Sequence, residues 1–319
     1  TKASNANKPT VISCKTVIGF GSPNKSGKAS SHGSPLGDEE IVLVRKKLKW
    51  NNEPFDIPYD IINAWRKIGE KGAELEEKWL DTLNKKNLNI KSELKGTYTE
   101  SNLKDLENLI KKEKTKYFES KPSMATRQCS SAAIESISNI LPQLIGGSAD
   151  LSGSNNTKTN NSKVISSKNF DGNYIHYGVR EHGMAAVMNG LALYSGLIPY
   201  GGTFLIFSDY CKPSIRLSAL MGLKVIYIFS HDSIGLGEDG PTHQPVEQLA
   251  SLRSIPNINV FRPSDLIETF ECWQLALESE NTPSVITLTR QGIKPVRIKG
   301  STKNMSSAGA YEILRTSDI

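Results

Sequence analysis

Apolar residues recur in two rhythms along this chain, and the change from one to the other divides it. From Asp38 to about Leu83, Val42, Val44, Leu48, Ile61, Ala64, Trp65, Ile68, Leu75, Trp79 and Leu83 fall at three-to-four spacing, with Glu39 and Glu40 near a start. That period predicts amphipathic helices lying on a larger body. Ahead of them Thr10-Val11-Ile12-Ser13-Cys14 is β-rich and predicts a strand, followed by a Gly/Ser/Lys-rich loop from Gly19 to Gly37. Between about Asn84 and Lys121, Lys, Asn and Glu dominate, which reads as an exposed helix and linker whose lysines form a solvated face.

From Met124 the texture changes. The pattern predicts a helix from Arg127 to Ile140, a strand at Leu144 to Gly147, a helix from Glu181 to Tyr194, and strands around Phe204 to Ile206 and Val225 to Phe229. A helix after Pro263 and a strand from Ser284 to Leu288 complete the series. Near-continuous apolar strands alternating with helices predict an α/β fold, a parallel sheet covered by helices on both faces, with a helical linker. The expected organisation is 1–90 as the end of one domain, 91–120 as linker, 121–300 as a second domain and 301–319 as the start of a further, truncated unit opening near Gly309-Ala310-Tyr311. The uncharged stretch from Gly183 to Ser208 is long enough to span a membrane, but Asn189, Gly190, Gly196, Pro199 and Gly201-Gly202 cut it into a helix, a turn and a strand. No membrane partner is expected.

The chain has 319 residues, 37% hydrophobic and 23% charged, which excludes disordered and fibrous classes. Its 39 Lys+Arg against 33 Asp+Glu leave a net charge of +6, too mild to predict nucleic-acid binding. Cys14, Cys129, Cys211 and Cys272 lie far apart, so buried thiols in a reducing compartment are expected rather than a zinc site or a disulfide scaffold. Without a charged stub and apolar leader at Thr1-Lys2-Ala3-Ser4-Asn5, a cytoplasmic protein is expected.

Candidate chemistry gathers in loops. The run from Ser230 to Pro245 follows an apolar strand and carries His231, Asp232, Asp239 and His243, suited to a hydroxyl-rich substrate. Its Gly235-x-Gly237-x-x-Gly240 imitates a dinucleotide fingerprint, but Pro241 and Pro245 push the next helix later, and Glu238 and Asp239 would repel a pyrophosphate. Glu181, between Arg180 and His182 at the mouth of an apolar helix, is either a carboxylate serving the helix N-terminus or a functional group in a dry setting. Phe204, Phe207 and Tyr210 recur at threes, as a core stripe or as a platform for a planar ring. Arg127, Arg216 and Arg290 stand near element ends, where each could clamp a phosphate or form a surface ion pair. Lys25, Lys28 and His32 among glycines could meet an anion.

Several long strings resemble one family, the thiamine diphosphate enzyme transketolase. They are Lys15-Thr16-Val17-Ile18-Gly19-Phe20-Gly21-Ser22-Pro23-Asn24-Lys25-Ser26-Gly27 with His32-Gly33-Ser34-Pro35-Leu36-Gly37, Gly147-Ser148-Ala149-Asp150-Leu151, Tyr177-Gly178-Val179-Arg180-Glu181-His182-Gly183-Met184, Gly202-Thr203-Phe204, Arg216-Leu217-Ser218-Ala219-Leu220 and the run from His231 to Pro245. The last string separates transketolase from related enzymes such as deoxyxylulose phosphate synthase. The resemblance implies the thiamine diphosphate-binding fold and reversible transfer of a two-carbon glycolaldehyde unit from a ketose phosphate to an aldose phosphate, in the pentose phosphate pathway. It implies that Glu181 bonds the cofactor pyrimidine and favours its imino tautomer, that Phe204, Phe207 and Tyr210 house that ring, and that Asp150 and His32 lie close to the cofactor. Catalytic roles fall to Glu181, His32, His231 and His243. Substrate contacts fall to His32, Arg127, Ser154, His231, Asp239, His243 and Arg290.

The same resemblance implies a homodimer with cofactor between subunits, and Mg²⁺ or Ca²⁺ held by residues outside this chain, since the family's Gly-Asp-Gly string is missing here. The isolated chain is therefore expected not to turn over alone. The alternatives are another thiamine-dependent ketol or acyl transferase, and a catalytically silent cofactor-binding or dimerisation fragment.

Overall fold

The computed structural model describes residues 2–86, 90, 100–297 and 300–313, and divides into two compact units, 1–82 and 83–319. Part of the expected linker, and the continuation of the expected C-terminal unit past Ile313, lie outside the described residues.

The first unit carries helix α1 (Asp38–Leu48) and most of helix α2 (Tyr59–Asn84). Asp38, Glu39 and Glu40 occupy the first turn of α1 and Arg45, Lys46 and Lys47 its last, matching the helix dipole at both ends. The Thr10–Cys14 run forms no strand; it is irregular and exposed, and among the described residues of the first unit no strand offers its backbone a ladder. The α2 stripe is also uncovered, with Trp65 73% and Ile68 64% exposed, so its amphipathic spacing builds no core among the described residues.

Order in the Gly19 to Gly37 loop comes from Glu40. Its carboxylate accepts from the Ser22 hydroxyl and, at 2.9 Å each, from the Asn24 backbone and side-chain amides. Ser22 Oγ accepts from Lys25 N at 2.9 Å, and Lys25 Nζ donates to Leu36 O at 2.7 Å, so Lys25 staples the loop. The Ser22 hydrogen bond, followed by those of Asn24, holds the Glu40 carboxyl down to about 2. A carboxylate held below its unfolded value of about 4.3 stabilises the fold above that pH and loses the effect as pH falls toward 2. The protection factors of the Asn24 and Lys25 amides, which correct for intrinsic exchange, should fall over that interval, and Glu40→Gln should remove that loss.

The second unit is a six-stranded, all-parallel sheet in the order β2-β1-β3-β4-β6-β5. The strands are β1 (Leu144–Ser148), β2 (Tyr174–His176), β3 (Ile198–Phe204), β4 (Ile226–Ser230), β5 (Asn259–Phe261) and β6 (Ser284–Leu288). Helices α3 (Glu100–Ser120), α4 (Thr126–Ser138) and α9 (Leu266–Glu278) cover one face; α6 (Glu181–Tyr194) and α7 (Ser208–Leu220) cover the other. Two short helices, α5 (Ser152–Asn155) and α8 (Gln248–Arg253), complete the set among the described residues. Alternation splits the strands between two cores: Ile226, Ile228, Ile286 and Leu288 face α4 and α9, whereas Tyr227, Phe229 and Val285 face α6 and α7. Burial on both faces is why these strands read as unbroken apolar runs.

Two expectations change here. Leu205 and Ile206 leave the sheet in a 3₁₀ turn, Leu205–Phe207, and the strand lies earlier, at Ile198–Phe204, where glycines admit the helix side chains. A Cβ at Gly201 would stand 2.3 Å from Met188 Sδ. The lysine-rich helix α3 is also no solvated rod throughout: Leu106, Ile110 and Lys114 are buried within the second unit. Lys114 Nζ meets Glu271 at 2.5 Å and the carbonyls of Thr302 and Lys303, while Arg297 Nη1 reaches the same carboxylate at 2.7 Å. The other Glu271 oxygen accepts from Met305 N, Ser306 N and Ser306 Oγ at 2.8–3.1 Å. Burial works against the Glu271 charge, yet the bonds from Arg297 and Lys114 hold its pKa below the usual range. Glu271→Ala strands two buried cations and should destabilise the unit by about 3–5 kcal/mol in denaturant unfolding.

Candidate active site

In parallel sheets, ligands collect where strands end, and this sheet carries its candidate side chains there. His231 is the first residue after β4 and Phe204 the last of β3; Asp150 and Ser154 follow β1, and Arg290 follows β6. Arg127 and Glu181 enter from the first turns of α4 and α6.

The sequence spacing of the aromatics acquires a physical reason in the 3₁₀ turn, where residues three apart eclipse. Phe204 and Phe207 stack with centroids 5.7 Å apart and planes 7° apart, and Phe207 and Tyr210 stack at 5.7 Å and 17°. His231 continues the stack over Phe204 at 3.7 Å, and His243 stands edge-on to Phe204 and Phe207 at 6.1 and 5.4 Å. The column runs from buried His231 to Tyr210, which is 65% exposed. Beside it, Thr203 Oγ1 and Ser208 Oγ are buried with no hydrogen-bond partner among the described residues.

Glu181 is buried at the α6 N-terminus, near enough to Cys211 to help burial raise that thiol to about 12. Cys211 in turn sits over the Phe207 and Ser208 carbonyls, which places Glu181 by the first turn of α7 and the aromatic column. His182 Nδ1 meets Ser214 Oγ at 3.2 Å and ties α6 to α7.

A second cluster is cationic. Thr126 and Thr289 exchange hydrogen bonds, Thr126 N to Thr289 Oγ1 at 3.0 Å and Thr289 N to Thr126 Oγ1 at 2.7 Å. Their neighbours Arg127 and Arg290 are thereby held in electrostatic contact, and burial with Arg290 lowers the Arg127 pKa. Arg127 Nη1 donates to Ser154 O at 2.7 Å, so Ser154 contributes its carbonyl, while Arg127 Nε is buried without an acceptor. Arg290 Nη2 bonds Glu238 at 2.7 Å, and Asp239 Oδ2 lies 3.9 Å from His231 Nε2. Two neighbouring guanidiniums, with Arg127 Nε buried and lacking an acceptor, make a seat for an anion.

Desolvation, followed by the Arg127 charge, holds the His231 pKa down to about 4. A base whose folded value lies below its unfolded value of about 6.5 costs stability as pH falls from 6.5 to about 4, because the unfolded chain takes the proton first. Histidine NMR titration should place the His231 midpoint near 4, and Arg127→Met should move it upward.

The remaining sequence candidates separate. His32 ends a short 3₁₀ turn in the first unit, exposed, with Lys28 just ahead of it. Asp150 is exposed in the loop after β1 with a left-handed φ of 64°. Arg216, on α7, lines a cleft of about 320 Å³ with Ala219, Leu220, Ile255, Pro256 and Asn257. The glycine fingerprint is accidental as expected: 3₁₀ turns flank Gly237 and Gly240, and the next helix starts at Gln248. Asn155, Ser230, Thr126 and Thr289 escaped the sequence reading; adjacency to His231, Arg127 and Arg290 was the available signal for the last three.

Residues 122–295 match the transketolase pyrimidine binding domain, and residues 1–102 match the transketolase thiamine diphosphate binding domain. The chain belongs to the transketolase family. Among curated transketolases, it is 48% identical to that of Cereibacter sphaeroides over 304 residues, covering 95% of this chain and 46% of the relative. It is 49% identical to that of Sinorhizobium medicae over 316 residues, covering 97% of this chain and 44% of the relative. Among solved structures, the Pichia stipitis transketolase in complex with sedoheptulose 7-phosphate superimposes with a TM-score of 0.84 at 35% identity, covering 98% of this chain and 46% of that one. The chain thus spans a little under half the length of the transketolases it matches.

Proposed function

We propose that this chain forms the pyrimidine and sugar-phosphate side of a transketolase active site, moving a two-carbon glycolaldehyde unit reversibly from a ketose phosphate to an aldose phosphate. The observation that carries this reading is the stacked column His231–Phe204–Phe207–Tyr210 beside the Arg127–Arg290 pair. Solved relatives hold sedoheptulose 7-phosphate and fructose 6-phosphate, substrates whose charge and hydroxyls suit this donor set.

The column fits an aminopyrimidine. Its rings offer a planar apolar wall, the orphaned Thr203 and Ser208 hydroxyls offer hydrogen-bonding atoms beside it, and the buried Glu181 carboxylate can accept from a protonated ring nitrogen. When bound, thiamine diphosphate supplies the carbon nucleophile and electron sink that amino-acid side chains lack. Glu181 holds the ring-nitrogen proton, and Phe204, Phe207 and Tyr210 fix the ring plane and exclude water on that side. Asp150 borders the same cofactor.

Arg127 and Arg290, with Ser154 bracing Arg127, grip the phosphate and so align the distant carbonyl. Asp239, His231 and His243 take the sugar hydroxyls; His32, in the other unit, is the candidate proton carrier for carbon–carbon cleavage in the full-length enzyme. Mg²⁺ or Ca²⁺ would accompany the diphosphate, on ligands outside these residues. A second copy of the chain would cover the apolar patch on the outer surface of α6 and α7, where Val187, Leu193, Tyr194, Leu217 and Leu220 are exposed. The cysteines are all free, three of them buried, which suits the cytoplasm. Among the described residues no helix is long and apolar enough to cross a membrane.

Two measurements test the assignment in the full-length enzyme. Glu181→Ala should lower kcat by about 10²-fold or more with substrate KM little changed; an unaltered kcat would overturn the role given to Glu181. Arg127→Met should raise KM for ketose phosphates by roughly 10-fold or more while sparing unphosphorylated ketoses.

A further inference from the structure

Where the chain enters α4 it pairs antiparallel with the segment that leaves β6. Met124 and Ile293 exchange backbone hydrogen bonds at 3.2 Å each, and Ser123 Oγ donates to Ile293 O at 3.0 Å. At the next rung hydroxyls stand in for carbonyls. Thr126 N donates to Thr289 Oγ1 at 3.0 Å, and Thr289 N donates to Thr126 Oγ1 at 2.7 Å, between residues 163 positions apart.

The proton count leaves this clasp no slack. Thr289 Oγ1 spends its one proton on Gln291 O at 3.0 Å, so Thr126 Oγ1 is the donor across the 3.2 Å between the two hydroxyls. Thr126 is fully buried, and its N–H is one of the first-turn amides of α4 that no helical carbonyl can satisfy. Thr289 satisfies it from the far end of the unit. A side chain without an acceptor at either position strands the partner's N–H.

Each threonine is followed by an arginine, and like charges brought together push apart. Burial, then the Arg290 charge, lowers the Arg127 pKa. The clasp bears that repulsion one residue from each guanidinium. The tips are tied as well, Arg127 Nη1 to Ser154 O and Arg290 Nη2 to Glu238 Oε1, both at 2.7 Å. A pair pinned at both ends before the anion arrives loses little freedom on binding it.

We propose that Thr126 and Thr289 are positioning residues for the anion seat, setting the spacing of Arg127 and Arg290 and with it their grip on a phosphate. The consequence for turnover rests on the sugar-phosphate reading above. Ketose and aldose substrates carry the same terminal group, so the clasp serves donor and acceptor equally and leaves the reacting carbons untouched.

The experiment uses the full-length enzyme. Thr126→Val keeps the shape and removes the acceptor; it should raise KM for a ketose phosphate and for an aldose phosphate by one common factor, roughly 10-fold, with kcat and the KM of an unphosphorylated ketose unchanged. Thr126→Ser keeps the hydroxyl and should restore the wild-type KM. In an Arg127→Met background Thr126→Val should raise KM by less than it does alone, because both act through one contact. An equal loss for the unphosphorylated ketose overturns the proposal, and so does a folded Thr126→Val enzyme with wild-type KM. Should Thr126→Val fail to fold, Thr289→Ala, at a half-buried site, is read against the same outcomes. Phenylglyoxal labelling of the ligand-free enzyme, followed by mass spectrometry at Arg127 and Arg290, separates the clasp from the sugar. Labelling should be slow in wild type and Thr126→Ser and several-fold faster in Thr126→Val, and equal rates overturn the clasp. If Arg127→Met leaves the KM of ketose phosphates unchanged, the sugar-phosphate reading fails, and the labelling rates alone decide whether the threonines set the pair.

Discussion

The register of three parallel strands governs the site. Ser148 of β1 pairs with Gly202 of β3, and Phe204 of β3 pairs with Ser230 of β4. These pairings bring the Ser148 hydroxyl to the Gly202 carbonyl and set the residue after Ser230 over the Phe204 ring. A slip of one residue would turn every side chain of a strand to its opposite face and exchange the two cores. Gly201 and Gly202 make the arrangement sterically possible, since α6 and the Thr157 loop approach β3 where a Cβ would stand. The buried hydrogen bonds that Asn155 makes with Ser148 and Ser230 are thus a by-product of how the apolar sheet is assembled.

Much of this was legible in the residues. Continuous apolar runs at Ile226–Ser230 and Ser284–Leu288 admit few readings once helices alternate with them, and Glu181–Tyr194 announces itself through an acidic first turn and small apolar residues. Long strings in one order pointed to the family, and several of them, such as Gly147–Leu151 and His231–Pro245, fall at strand ends. The aromatics at 204, 207 and 210 were readable as a set, but their stacking needed the 3₁₀ turn, which hydrophobic periodicity cannot distinguish from a strand end.

What the sequence hid has common causes. Thr10–Cys14 has strand propensity without a strand to pair with, and β structure is decided by partners far along the chain. Lys114 sits among surface lysines, and nothing local marks it as the one that meets Glu271, 157 residues later. Strand β2 is three residues long and its pairing with β1 owes more to the sheet edge than to its own composition. Asn155 and Ser230 are ordinary polar residues whose pairing is a property of arrangement alone.

The Glu271 cluster has a mechanical side. One of its carboxylate oxygens takes Lys114, which precedes the sheet, and Arg297, which follows it; the other takes Met305 and Ser306 further on. The polypeptide entering the second unit and the polypeptide leaving it are thus riveted to the same side chain on α9. Tension between the two flanks would therefore meet at one buried side chain within the helical layer.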